Sequence, residues 1–186
     1  MPEHPFPFHA LYQLTERKGR DGQPRDDKGT RAALRRLLSD TRRSKAVGWM
    51  ALGALGAGSF ADDPVAETVA GIYGLHPKPS HDKEFNFGAT CRKLREKKSK
   101  DFSEPHPFDN HFRRLLGART QGDACKVVQR IARMAEAEGI EINFERLFYD
   151  LCRWEDDWPR RNWTRAYFRT PQPEDDSEIT APAVHE

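Results

Sequence analysis

The chain has little cysteine, and what it has is dispersed: three residues in 186, Cys91, Cys125 and Cys152, with no CxxC pair among them. That spacing excludes a disulfide scaffold and a zinc ribbon and fits a reducing compartment, so a cytoplasmic protein is expected. The three thiols read as small core hydrophobes. A membrane-length apolar run is also missing. The uncharged stretch 46–61 has only 16 residues and four of them are glycine, short of the ~20 a span needs. A buried, closely packed helix is the better reading of it. Residues 1–10 lack both an apolar h-region and a cleavage site, so no secretory signal is expected there.

The parts that catalysis needs are equally scarce. There is no GxxxxGK phosphate loop. A nuclease would need clustered acids to hold divalent ions around a phosphate, and the pairs Asp82 with Glu84 and Asp156 with Asp157 do not make such a cluster. The second pair sits just ahead of Pro159, where helix-start acids favour the dipole. His76 with His81, and His106 with His111, share no helix face with a carboxylate or thiolate at ligand spacing. No catalytic residue, metal site or cofactor is expected.

What the chain does have is unevenly placed charge. Its 31 Lys and Arg against 29 Asp and Glu give a net +2. Residues 171–186 hold five acids, Glu174, Asp175, Asp176, Glu178 and Glu186, and no Lys or Arg; with them set aside, 31 basic residues face 24 acidic ones, a net +7. Between residues 17 and 45 eleven basic residues face four acidic ones, and between 92 and 119 nine face four. A solvated helix face explains either cluster alone. Two clusters on separate helices of a basic body point instead to a polyanion, because guanidinium forks bind phosphate and each neutralised phosphate releases counterions. The chain is polar, with mean hydropathy −0.86, but four Trp and eleven Phe are enough for a core.

Periodicity predicts an all-α protein of about nine helices. Over 108–117, Phe108, Phe112, Leu115 and Leu116 form one stripe that excludes Arg113 and Arg114; Pro107 suits the first position and Gly117 a left-handed stop. Arg119 lies in the turn that follows. Thr120 and Asp123 read as a cap and its N3 acid for a helix with Ala124, Val128 and Ile131 inward, closed by Gly139. After Asn143, Phe144, Leu147, Leu151 and Trp154 point inward. A last helix starts at Pro159 and buries Trp163 and Tyr167, leaving Arg160, Arg161 and Arg165 outside. Earlier helices are expected over 8–18, 30–38 and 44–55, after an Asp63 cap with Pro64, and around Phe87, Cys91 and Leu94. Two bundles follow, 1–100 and 101–170, joined through a Lys- and Ser-rich linker at 97–105. A Gly-, Asp- and Pro-rich loop covers 19–28, and 171–186 is read as an acidic, Pro-rich, disordered tail.

The order FDNHFRRLLGART, a capped helix, INFERLFYDLCRWEDD and PRRNWTRAYFR resembles the C-terminal half of the small subunit of the type I-E CRISPR surveillance complex Cascade, the CasB family. KGTRAALRRLL is similar to that family's N-terminal basic helix and NFGATCRKLRE to its central segment. The resemblance implies a non-catalytic subunit, present in two copies beside the subunits that coat the guide RNA, whose basic surfaces hold target DNA strands during R-loop formation. The residues that match the family's basic positions are Arg31, Arg35 and Arg36, then Arg92, then Arg113 and Arg119, and finally Arg160 and Arg161. The acidic tail is a departure from the family pattern and would compete for the basic face. The alternative is a free-standing helical DNA-binding regulator, but no recognition helix with a short Gly turn and base-reading side chains marks it. Trp154 and Trp163 fall on inward stripes and read as core, whereas Trp49 and Trp158 stay unassigned between packing and base stacking.

Overall fold

The computed structural model describes residues 5–16, 26–97 and 99–169. Most of the expected 19–28 loop and the whole acidic tail lie outside the described residues. Among the described residues there are nine α-helices and no strand: α1 Phe8–Glu16, α2 Lys28–Arg35, α3 Arg42–Ala54, α4 Pro64–Leu75, α5 Phe87–Glu96, α6 Pro107–Leu116, α7 Gln121–Glu138, α8 Phe144–Cys152 and α9 Asp157–Phe168. A 3-10 turn, Arg36–Leu38, continues α2, so the helix expected over 30–38 starts two residues early and tightens at its end.

The central element is α4, in which residues 65–74 are all buried. It packs against α2 on one side and against α7 and α8 on the other. Its polar needs are met locally: Asp63 accepts from the Val65 and Ala66 amides, and the buried Glu67 accepts from Lys45 and from the Trp49 indole, 2.5 and 2.6 Å away. Trp49 is thus partly packed and spoken for. The uncharged stretch 46–61 behaves differently from the buried helix expected of it. In α3 only Gly48, Ala51 and Leu52 are buried, while Met50 is 78% exposed. The hydrophobic helix of this fold is α4, and α3 lies outside it with one face in water.

Caps follow the sequence closely. Thr120 and Asp123 bond reciprocally at the start of α7, and Asn143 accepts from the Arg146 amide at 2.9 Å. His106 accepts from the Phe108 amide ahead of Pro107, while Asp109 reaches back to the His106 amide. Gly139 is left-handed at φ 63° and stops α7, as its position predicts. Gly117 is not left-handed; at φ −83° it closes α6 in the right-handed region. Asp156 precedes α9 without capping it, because its carboxylate accepts from Arg153 instead.

Buried residues from both sides of residue 100 share one cluster. At its C-terminal end Trp154 and Trp163 are both fully buried, with ring centroids 5.2 Å apart. The α5–α9 contact depends on Gly88, where a Cβ would collide with the Trp163 backbone. The segment read as a linker at 97–105 is held by Arg95, which is 1% exposed. Its guanidinium donates to the carbonyls of Ser99, Asp101 and Glu104 and to the Asp109 carboxylate, and lies 3.8 Å from the Phe102 ring centroid. One side chain thereby satisfies three loop carbonyls that have no helix to serve them.

Candidate nucleic-acid interface

The first basic surface is built by α2 and the start of α3. Asp27 caps α2 through the Thr30 amide, which fixes the helix so that Leu34 and Leu37 turn inward and Arg35 and Arg36 outward. Arg42 and Arg43 open α3, which packs on α2, and are also exposed. Among the described residues none of these four makes an ion pair or side-chain hydrogen bond. Arg31 is different: one guanidinium nitrogen, Nη1, reaches both carboxylate oxygens of Asp26 at 2.7 and 2.8 Å, and its side chain is only 19% exposed.

The second surface surrounds the α6–α7 turn. The Ala118 carbonyl accepts from the Trp154 indole at 2.9 Å and from Arg160 at 3.0 Å, which ties the turn carrying Arg119 to the start of α9. Arg119 is exposed and unpaired among the described residues. Arg113 is exposed near the end of α6 and reaches only Asn110. Arg161 is 72% exposed and lies 3.7 Å from an equally exposed Asp157, a geometry of little energetic weight. Arg160, by contrast, donates to the carbonyls of Trp154, Asp156 and Ala118 and lies over the Trp154 ring. Its donors are taken up by backbone, which makes it a clamp on the chain itself.

Arg92 belongs to neither surface. It lines a groove of about 790 Å³ between α5 and α9, with Lys83, Lys93, Arg146, Arg165 and Arg169 as its other cations and Glu84 and Glu96 as its acids. Arg92 donates to Glu96, Lys93 to Glu141 and Arg146 to the buried Asp150. The sequence pattern misses this groove because its cations come from α5, α8, α9 and a loop, brought together by the Gly88 contact. The eight sequence-predicted arginines therefore divide into two exposed groups, one groove residue, and two, Arg31 and Arg160, bound up in the protein.

The titratable groups nearby are structural. Burial pushes the Asp150 carboxyl above its ordinary range, against the opposing pull of the Trp163 indole and the Arg146 guanidinium. Partial burial raises the Asp109 carboxyl too, but the Tyr167 hydroxyl, the His106 amide and Arg95 outweigh it and hold the group below its usual value. His76 is buried with a ring nitrogen 2.6 Å from the Ile140 carbonyl, and burial lowers it. Burial raises Cys125 and Cys152 to about 11, so both stay thiols at neutral pH. Among the described residues no group of three or more His, Cys, Asp or Glu is placed to hold a metal ion, and no helix is long and apolar enough to cross a membrane.

No curated protein and no solved structure matches the chain. A protein-family model described as CRISPR-associated protein Cse2 matches residues 30–168, a span that runs from the first turn of α2 to the last residue of α9 and contains every basic surface described above. The chain belongs to the Cse2 (CasB) family, the small subunit of the type I-E CRISPR complex Cascade.

Proposed function

We propose that this chain is a non-catalytic Cascade subunit that grips nucleic-acid backbone through its basic helix faces and stabilises target DNA strands in the R-loop. The observation that carries the reading is the α2–α3 edge, where Arg35, Arg36, Arg42 and Arg43 stand exposed with no anionic partner among the described residues. Such groups are unscreened by the protein's own acids and free to fork onto phosphate. Arg113, Arg119 and Arg161 extend the same chemistry at the α6–α9 corner. The partners are other Cascade subunits, guide RNA, target DNA and a second copy of the chain within the complex, in the cytoplasm. Guide pairing reads sequence, and a near-balanced strand exchange is tipped by backbone contacts of this kind.

The test replaces Arg35, Arg36 and Arg119 with alanine and measures R-loop lifetime in reconstituted complexes. The variant assembles normally and its R-loops dissociate faster by a similar factor on every target sequence, because phosphates carry no base information. The isolated chain binds DNA with a log–log salt slope of about −3 to −5, corresponding to roughly four to six phosphates. Unchanged lifetimes, or a slope near zero, would refute the reading.

A further inference from the structure

We propose that the groove between α5 and α9 seats an unpaired nucleic-acid strand, its phosphates on Lys83, Arg165 and Arg169 and a base on the ring of Phe168. The inference rests on the nucleic-acid reading above and gives it a place apart from the two exposed arginine surfaces.

Charge is the first argument. Three of the six groove cations are already matched by Glu96, Glu141 and Asp150. The side chains of Lys83, Arg165 and Arg169 have no ion pair or hydrogen bond among the described residues, and of the groove's two acids Glu96 is tied to Arg92, which leaves Glu84. The groove thus keeps an excess of cations after its internal pairs are counted. The matched pairs also hold two of the lining side chains in place, Arg92 tied to Glu96 at 2.6 Å and Arg146 to Asp150 at 3.1 Å.

Aromatic surface is the second argument and selects the ligand. Phe168 stands on the groove rim at the last residue of α9, held edge-on against Tyr167 at 5.0 Å and 88° yet 60% exposed. Of the other exposed aromatics, Trp158 carries the guanidinium groups of Arg146 and Arg153 over its ring at 4.8 and 5.4 Å, and Tyr149 does not line this groove. A single strand offers phosphates and unstacked base faces together, the combination that cations beside one exposed ring recognise. A duplex keeps its base faces stacked inside, and an acidic peptide has nothing for Phe168 to stack on.

The experiment uses the full chain and follows binding of labelled oligothymidylate, an abasic oligodeoxynucleotide of equal length, and polyglutamate by fluorescence anisotropy. Replacing Lys83, Arg165 and Arg169 with alanine weakens the oligothymidylate about tenfold and reduces the salt slope by about 2, at ~0.7 per phosphate for single strands. Phe168→Ala weakens it about five- to tenfold but leaves the abasic strand unchanged, and Phe168→Trp restores binding. Thermal melts confirm that each variant is folded. If both groove variants bind like wild type while the Arg35, Arg36 and Arg119 variant loses affinity, the groove assignment falls and the broader function stands. Equal effects of Phe168→Ala on thymidylate and abasic strands, or polyglutamate binding tighter than either, would also overturn the groove proposal. A wild-type chain that binds no nucleic acid would sink both.

Discussion

At the α2–α3 edge, Arg35, Arg36, Arg42 and Arg43 point into water and touch no acid or carbonyl through their side chains among the described residues. In the α5–α9 half, Arg95 and Arg160 donate to carboxylates or main-chain carbonyls and lie over Phe102 and Trp154. The residue type is the same, and the difference lies in the backbone around it. A helix satisfies its own carbonyls and leaves a guanidinium on its outer face nothing to do. The segment 97–105 and the turn before α7 have carbonyls that no helix serves, and a five-donor fork is the side chain able to serve several at once. Counting arginines therefore overstates the surface available to a ligand wherever irregular chain lies nearby.

The sharpest way to break this comparison is Arg95→Ala. The substitution strands the carbonyls of Ser99, Asp101 and Glu104 and takes from Asp109 its only cation among the described residues, leaving it the His106 amide and the Tyr167 hydroxyl, and removing one partner of such a buried charged network costs about 3 kcal/mol or more. At about 2–4 °C per kcal/mol for a domain of this size, the melting temperature falls by about 6–12 °C. Arg95→Lys recovers little, because one ammonium cannot span those acceptors. Arg35→Ala, the matched exposed change, stays within about 0.5 kcal/mol. Calorimetry showing equal losses at both positions would mean that the two regions do not differ as described.

A smaller effect separates two adjacent residues that periodicity alone treats alike. Arg160→Ala removes donors from Ala118, Trp154 and Asp156 and costs about 1–2 kcal/mol, since its side chain is 21% exposed and water replaces part of the loss. Arg161→Ala changes stability by less than about 0.5 kcal/mol and reduces DNA affinity instead. Chemical denaturation of the two variants, paired with binding isotherms, checks both halves. An Arg160→Ala chain as stable as wild type but weaker on DNA would return Arg160 to the ligand surface.

Helices were legible wherever a cap and an apolar period coincided, as at Asp63 with Pro64, Thr120 with Asp123 and Asn143 with Phe144 and Leu147. Burial was less legible. The stretch 46–61 and α4 are both apolar, and nothing local says that α4 is the one enclosed by α2, α7 and α8. That is decided by long-range packing. The same limit applies to the basic residues: period shows that Arg35, Arg36 and Arg113 are off the core stripe, and they are exposed, whereas the fate of Arg160 depends on Ala118, 42 residues away. The groove was invisible for the same reason, its cations being distributed over four elements. Trp154 and Trp163 were readable because their own helices already turn them inward.

The smallest expected effect concerns residues 171–186, whose charged side chains are all acidic and which begin two positions after Arg169 of the groove lining. The contrast between engaged and unengaged arginines predicts which cations these acids would compete for. Those already bonded to Glu96, Asp150 or backbone offer little new attraction, whereas Arg35, Arg36, Arg119, Arg165 and Arg169 are unmatched among the described residues. Ending the chain at residue 170 removes five negative charges and tightens DNA binding a few-fold at low ionic strength, where the Debye length is about 30 Å at 0.01 M. At 0.15 M that length shrinks to about 8 Å and the gain largely disappears. Combining the truncation with alanine at those five arginines shrinks the gain even at low salt, because the competition then has fewer unmatched targets. A truncated chain that binds no more tightly at any ionic strength would refute competition by the tail, and a gain that survives the five substitutions would show that the acids act on other cations.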